Sequence, residues 1–269
     1  MSSGRATLSI QLFGRLEVLA GGVHVRITGR HAQALTALLA LRPRPRLRDA
    51  IAAELWPDAD GPSAASLRQA LWLVRSSLTT AGLQPDAWLE AEQDTLGLQP
   101  AATLDLDVAR FERLADRAGD PSAEETALSL YRGDLLEGLG HECFAAERER
   151  LSDCYEDLLA RVAATRLAHG DVVGARLAAT ELLSRDPLRE EAHAVLIAAY
   201  GLAGSRSQVV RQYRRVCSIL RSELAVGPLP ETDATYRMAL AAAAARSRER
   251  AAAIVYDPAP FMPILVSSA

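Results

Sequence analysis

The sequence contains no lysine: all 30 of its basic residues are arginine. A coding bias that also enriches alanine is the simplest reading, so the arginine excess alone does not mark a nucleic-acid binder. Cysteine is scarce too. Cys143, Cys154 and Cys217 are too few and too scattered for a disulfide framework, and no Cys or His pair has the C-x2-C or H-x3-H spacing of a zinc site. Cys143 and Cys154 stand eleven residues apart in what reads as one helix, ~16 Å along its axis, so they cannot bond to each other. All three are expected to be small core residues, and the five histidines follow no ligand pattern. No run approaches the ~18 uninterrupted apolar residues of a membrane helix, and Met1 to Ile10 lacks the basic start and apolar stretch of a signal peptide. A cytoplasmic protein without membrane contact is expected. G-x-x-x-x-G-K-[ST], G-x-S-x-G and H-E-x-x-H are all missing, and carboxylates such as Glu147, Glu149 and Asp153 fall in solvated helix-face runs. The expectation is therefore no enzyme, no catalytic residue, no cofactor and no metal.

What is present is ordinary globular composition, 49% hydrophobic and 24% charged, over 269 residues. At ~150 residues per domain that length suggests two domains, each able to bury its own core. The net charge of −4 is unevenly spread: residues 1–85 hold ten arginines against five acids, and the remainder 20 against 29. Such asymmetry is what separates a polyanion-facing domain from an acidic partner domain.

The first 28 residues alternate as short strands, Leu8, Ile10 and Leu12 against Ser9 and Gln11, with a hairpin turning at Gly21-Gly22 into Val23 to Ile27. From Gly29 the period becomes helical through Ala34, Leu35, Leu38, Leu39 and Leu41, until Pro43 and Pro45 end it. A second helix is expected over Leu47 to Trp56, with Ala50, Ile51 and Leu55 inward, stopping before Pro57. A third opens at Ser63, a capping residue, and runs to about Thr80. Its inward face is Leu67, Leu71, Val74 and Leu78, bordered by Ala70; Arg68, Trp72 and Arg75 stand on the other side, flanked by Gln69, Ser76 and Thr79. Trp88-Leu89-Glu90 and Leu96-Gly97-Leu98 suggest a last hairpin. Strands, three helices and a hairpin is the order of a winged helix.

After Pro100 the pattern reads as helical throughout: Phe111 to Ala118, Ala123 to Leu136, Phe144 to Ala168, Val172 to Ser184, Glu190 to Leu202, Ser207 to Leu224 and Thr232 to Arg250. Gly170 recurs as Gly204 and Ala175 as Val209, a period of 34 that belongs to tetratricopeptide-like helix–turn–helix units. The expected fold is thus mainly α with a small β part. A winged helix of the response-regulator kind over 1–100 precedes a tetratricopeptide-like repeat domain over 104–250. The tail, 251–269, is expected to be mobile or to form an edge strand through Ile254-Val255-Tyr256.

Ten segments occur in register with one known arrangement. They are Leu8 to Gly14, Arg30 to Leu35, Ala53 to Asp58, Ser66 to Leu71, Asp94 to Leu98, Phe111 to Leu114, Tyr131 to Leu136, Ala146 to Leu151, Asp186 to His193 and Pro230 to Thr232. Over residues 8 to about 240 the chain resembles the bacterial transcriptional activators of the antibiotic-regulatory-protein (SARP) type, a winged helix followed by the bacterial transcriptional activator domain. The resemblance implies DNA binding by the first part and partner contact or regulation by the second. It also implies that Pro57, Asp58 and Asp60, in the loop before the third helix, contact RNA polymerase. Two features depart from the family's pattern: the third helix keeps Arg75 alone where several arginines usually follow Leu71, and the hairpin carries Glu90 and Glu92.

Helix 63–80 is then the recognition candidate, offering Arg68, Gln69, Trp72 and Arg75 to the major groove, arginine to guanine and glutamine to adenine. Arg42, Arg44 and Arg46, interleaved with prolines, are candidates for the phosphate backbone, and Arg30 is a further DNA-contact candidate. Each of these has the plain alternative of a solvated helix face or a stiff soluble loop, and Trp72 could instead pack on a protein. The functional expectation is a sequence-specific DNA-binding transcriptional regulator, an activator, with double-stranded DNA and RNA polymerase as partners. A homodimer and a protein or small-molecule ligand of the repeat domain stand open beside them. The alternatives are a protein-binding adaptor that has lost strong DNA binding, and the sensory front of a longer signalling protein.

Overall fold

The computed structural model describes residues 7–57, 63–100 and 103–256, with backbone alone at Ser63 and at 250–256. The chain divides into two compact units, 1–158 and 159–269. The first opens with β1 (Thr7–Gln11), β2 (Glu17–Ala20) and β3 (Val23–His24), antiparallel neighbours in that order. Gly21 and Gly22 make the β2–β3 turn at φ 56° and 83°, where a side chain would be strained. Leu8, Ile10, Val18 and Ala20 are buried, as the two-residue period requires.

Three helices follow, α1 (Arg30–Leu41), α2 (Arg48–Leu55) and α3 (Ser63–Thr80), with the two-residue strand β4 (Arg46–Leu47) before α2. Then come β5 (Leu89–Ala91) and β6 (Thr95–Leu98), which form a sheet in the order β4-β6-β5. Leu35, Leu38 and Leu39 of α1, Ile51 and Leu55 of α2, and Leu67, Leu71, Val74 and Leu78 of α3 make the core between the helices. On α2 the inward set is Ile51, Ala52 and Leu55, while Ala50 is exposed, because positions i, i+1 and i+4 share a face and i−1 turns ~100° away from it.

The stretch after Pro100 is not helical throughout. Thr103–Leu106 forms β7, parallel to β1 with Leu8 opposite Leu104 and Ile10 opposite Leu106, and completes a four-stranded sheet. Its Thr-Leu-Asp-Leu alternation has the strand period, and β1 offers it an otherwise open edge. The division expected between residues 100 and 104 therefore lies inside the first compact unit, because the sheet joins the two sides of it.

β7 runs directly into α4 (Asp107–Ala115), followed by α5 (Pro121–Leu130) and α6 (Ala145–Ala168), along which the division between the units falls. Asp107 is 7% exposed, and its carboxylate accepts hydrogen bonds from the Leu12 amide at 2.8 Å, the Phe13 amide at 2.9 Å and the Val108 amide at 2.8 Å. Burial pushes its carboxyl above the usual aspartate range, opposed by those amides and by Arg132. Beside it Phe13, Phe111, Tyr131 and Tyr155 make a contiguous aromatic cluster, with Tyr131 stacked on Tyr155 at 4.0 Å.

α5 stops at Leu130 rather than reaching Leu136. The Tyr131 hydroxyl donates to Asp134, the Gly14 amide to the Asp134 carbonyl and the Leu136 amide to the Leu12 carbonyl. These bonds to the first strand replace those a longer helix would make. Cys143 falls in a separate 3-10 turn, Glu142–Phe144, so it does not share a helix with Cys154. All three cysteines are half-buried rather than core residues.

The second unit holds α7 (Val172–Arg185), α8 (Glu190–Leu202), α9 (Arg206–Leu224) and α10 (Pro230–Tyr256). The 34-residue offset is visible in its packing. Gly170 and Gly204 both take positive φ, 80° and 75°, and the buried Ala175, Ala178 and Leu182 of α7 recur as Val209, Gln212 and Val216 of α9. α8 and α10 approach closely at Gly201, where a Cβ would stand 2.7 Å from Ala239 Cα. His193 is 1% exposed, with its ring nitrogens on the Pro187 carbonyl at 3.0 Å and the Gln212 amide at 2.7 Å. Burial holds it below the ordinary histidine range. α10 continues through Tyr256, so Ile254 to Tyr256 is helix and not an edge strand; the alanines of 241–245 and 251–253 favour that. Residues 257–269, the rest of the tail, lie outside the described residues. Among the described residues no helix is long and apolar enough to cross a membrane.

Asp107→Ala leaves the Leu12 and Phe13 amides buried without an acceptor, at about 1–3 kcal/mol each. Differential scanning calorimetry should show Tm lowered by ~5–12 °C. A shift within about 2 °C of the parent would mean that this joint carries no stability.

Candidate nucleic-acid interface

α3 buries one face and offers the other. Leu67, Ala70, Leu71, Val74 and Leu78 are at most 8% exposed, which fixes the rotation of the helix about its axis. With those five inward, Arg68, Gln69 and Trp72 are exposed together on the opposite side. Trp72 is 65% exposed, so the ring is not part of the core. An aromatic held in water forgoes on the order of 2 kcal/mol of burial at ~25 cal/mol/Å².

Arg75 sits at the margin of that face. Its guanidinium donates to Asp86 at 2.7 Å, and Asp86 lies in the 3-10 turn Pro85–Ala87 between α3 and the hairpin. The Asp86 side chain is 79% exposed, so the pair is worth little and a phosphate or base edge can compete for the arginine. Gln69 also lines a depression of about 340 Å³ with Arg30, His31 and Leu73, which brings the start of α1 to the same side of the domain. The Arg30 guanidinium lies against Gly140 and close enough to His141, with His31, to help burial hold that histidine below its ordinary range.

The interleaved arginines divide. Arg42 and Arg46 both bind Glu54 of α2, at 2.5 and 2.8 Å, which neutralises part of their field. Arg44 is exposed and has no ion pair among the described residues. The β5–β6 hairpin is anchored by Trp88, 4% exposed, and by Arg48, which donates to the Glu92 carbonyl at 3.1 Å. Glu90 is half-buried and Glu92 exposed, so the tip keeps negative charge.

Of the loop before α3, Pro57 is exposed, while Asp58 and Asp60 lie outside the described residues, as does the Ser63 side chain that was expected to cap. Trp56 is half-buried, edge-on to His31 at 5.3 Å between ring centres. The structure thus gathers Arg68, Gln69 and Trp72 on one surface, leaves Arg75 at its margin and occupies Arg42 and Arg46. Sequence reasoning missed the counter-charges. Glu54 is eight residues beyond Arg46 across a strand–helix junction, and Asp86 is eleven beyond Arg75 across a turn, spacings at which no helix-face rule applies.

Comparison with known proteins agrees with the architecture. The family model described as "Bacterial transcriptional activator domain" matches residues 106–240. Among solved structures, Mycobacterium tuberculosis EmbR, determined in complex with a low affinity phosphopeptide, superposes with a TM-score of 0.71 at 23% identity. That match covers 93% of this chain and 71% of EmbR. No curated protein sequence matches.

With Trp56 and Trp88 replaced by phenylalanine, emission from Trp72 should be that of a water-exposed indole, open to collisional quenching by acrylamide. It should become protected when duplex DNA is added. Emission shielded before any addition would contradict the outward rotation of α3.

Proposed function

The chain belongs to the bacterial transcriptional activator domain family, as a SARP-type transcriptional regulator, and on that premise we propose that it reads DNA sequence through α3. In this reading Arg68 and Gln69 meet base edges in the major groove, Trp72 packs on sugar or a thymine methyl group, and Arg75 exchanges Asp86 for the duplex. The observation that carries it is the common exposure of Arg68, Gln69 and Trp72 on a helix whose other face is locked into the core. Arg44 supplies a sequence-independent phosphate contact. Arg42 does so by giving up its pair with the partly buried Glu54, which keeps Arg46 as its partner. Pro57, Asp58 and Asp60 contact RNA polymerase, which makes the protein an activator. The helical domain handles regulation or partner contact.

A second reading, an adaptor that binds protein and no longer holds DNA strongly, draws on one observation. Glu54 and Asp86 already engage three of the candidate arginines, and Glu92 stands on the hairpin tip. An arginine withheld from phosphate in this way releases no counterion, which weakens binding and flattens its salt dependence.

The two readings separate in a duplex titration near 150 mM salt. Arg68→Ala should cost about 1–3 kcal/mol on the preferred sequence and little on random duplex, whereas Arg44→Ala should weaken both equally. Equal losses for the two variants on both duplexes would remove α3 from base reading. No retention of any duplex by the parent protein would favour the adaptor.

A further inference from the structure

The second compact unit carries a basic surface that base reading by α3 does not use. Residues 159–269 hold 14 arginines against ten acids, and α9 alone holds five, Arg206, Arg211, Arg214, Arg215 and Arg221, against Glu223. α9 turns Val209, Gln212, Val216 and Leu220 inward. At 100° per residue, Arg211, Arg214, Ser218 and Arg221 then fall within a ~80° arc on the opposite side. All four are exposed.

None of the three arginines in that arc has an ion pair among the described residues. Elsewhere in the unit Arg166 and Arg189 each face an aspartate of a neighbouring turn, and Arg185 faces Glu181 of its own helix. The face is also held rigidly. The Tyr213 hydroxyl donates to Asp233 of α10, and its ring stacks on Tyr236 with centres 3.9 Å apart. A groove of about 450 Å³ along this side is lined by Tyr213, Arg214, Cys217, Ser218, Arg221 and Ser222.

We propose that this face of α9 is a second contact surface for the phosphate backbone of double-stranded DNA. It rests on the reading of the protein as a DNA binder and extends that contact to the helical domain. Charge complementarity selects a polyanion, and the make-up of the face selects nucleic acid over an acidic protein. A protein interface is anchored by buried apolar or aromatic side chains. Here the exposed large apolar residues fall outside the arginine arc, at Val173 and Leu177 of α7, Leu202 of α8 and Met238 of α10, and at Leu224, Val226 and Leu229 where α9 ends and the chain leaves it. Guanidinium and hydroxyl donors without an apolar centre are what phosphate oxygens take up. From Arg211 to Arg221 is about 15 Å along the axis, the rise of four to five phosphates on one strand at ~3.4 Å each.

The test is the salt dependence of duplex binding by the full chain and by the triple variant R211Q/R214Q/R221Q, each checked by circular dichroism. The slope of log affinity against log salt should fall by ~2–3 in the variant, equally on preferred and random duplex, with the preference between them unchanged. Should the triple variant lose helicity, R214Q and R221Q singly should each lower the slope by ~0.9. An unchanged slope, with Arg68→Ala still weakening the preferred sequence selectively, would overturn the α9 contact and leave base reading by α3 intact. A reduced slope on a parent protein without sequence preference would keep the contact and remove that reading. Loss of RNA polymerase capture by the variant at unchanged DNA affinity would assign the face to an acidic protein, and overturn the proposal.

Discussion

One buried carboxylate ties the beginning of the chain to its helical part. Asp107 opens α4 and closes on the amides of Leu12 and Phe13, at the end of the first strand, while β7 just before it pairs with β1. The helices and hairpin of the winged helix lie in sequence between those two parallel strands, so the element that presents α3 is bracketed at both ends by one sheet. The aromatic cluster of Phe13, Phe111 and Tyr131 covers the same joint, and Arg148 of α6 donates to the Leu135 carbonyl beside it at 2.9 Å. The proposed base reading by α3 needs a helix held in a fixed orientation by its own domain, and this closure is what the domain has to hold it.

Charge is laid out in three blocks. Residues 1–85 are basic and so is the second unit, while residues 86–158, which include the β5–β6 hairpin, hold six arginines against 19 acids. That acidic block offsets the basic parts on either side and brings the total to −4. Within the winged helix the same arrangement recurs at short range, with Glu54 holding Arg42 and Arg46 through part-buried pairs and Asp86 holding Arg75 through an exposed pair that a stronger anion can replace.

Much of the fold was legible because hydrophobic periodicity carries it. The inward stripe of α3, the Gly21-Gly22 turn and the 34-residue recurrence of Ala175 at Val209 are local signals, and each appears in the structure as read. What escaped was long-range. β7 is four residues long and is defined by its partner ninety-six positions earlier, Leu8 for Leu104, and α5 ends early because Leu136 bonds back to Leu12. Several segments that carried the family resemblance turn out to be joints of this kind. Glu112 meets Arg150, and Leu136 meets Leu12, so the resemblance pointed to the fold through residues that build it. At the candidate site the outward residues were readable from helix rotation, but not their counter-ions, since ion pairs across junctions leave no periodic trace.

The central claim, that α3 reads base sequence, is tested most directly by selection from a randomised duplex pool at about 150 mM salt, with the parent chain and with Gln69→Ala in parallel. The account predicts that the parent recovers a defined sequence and that the variant recovers the same sequence with one position, an adenine, relaxed to any base. Recovery of an unenriched pool by the parent, or of an identical sequence by both proteins, would contradict it.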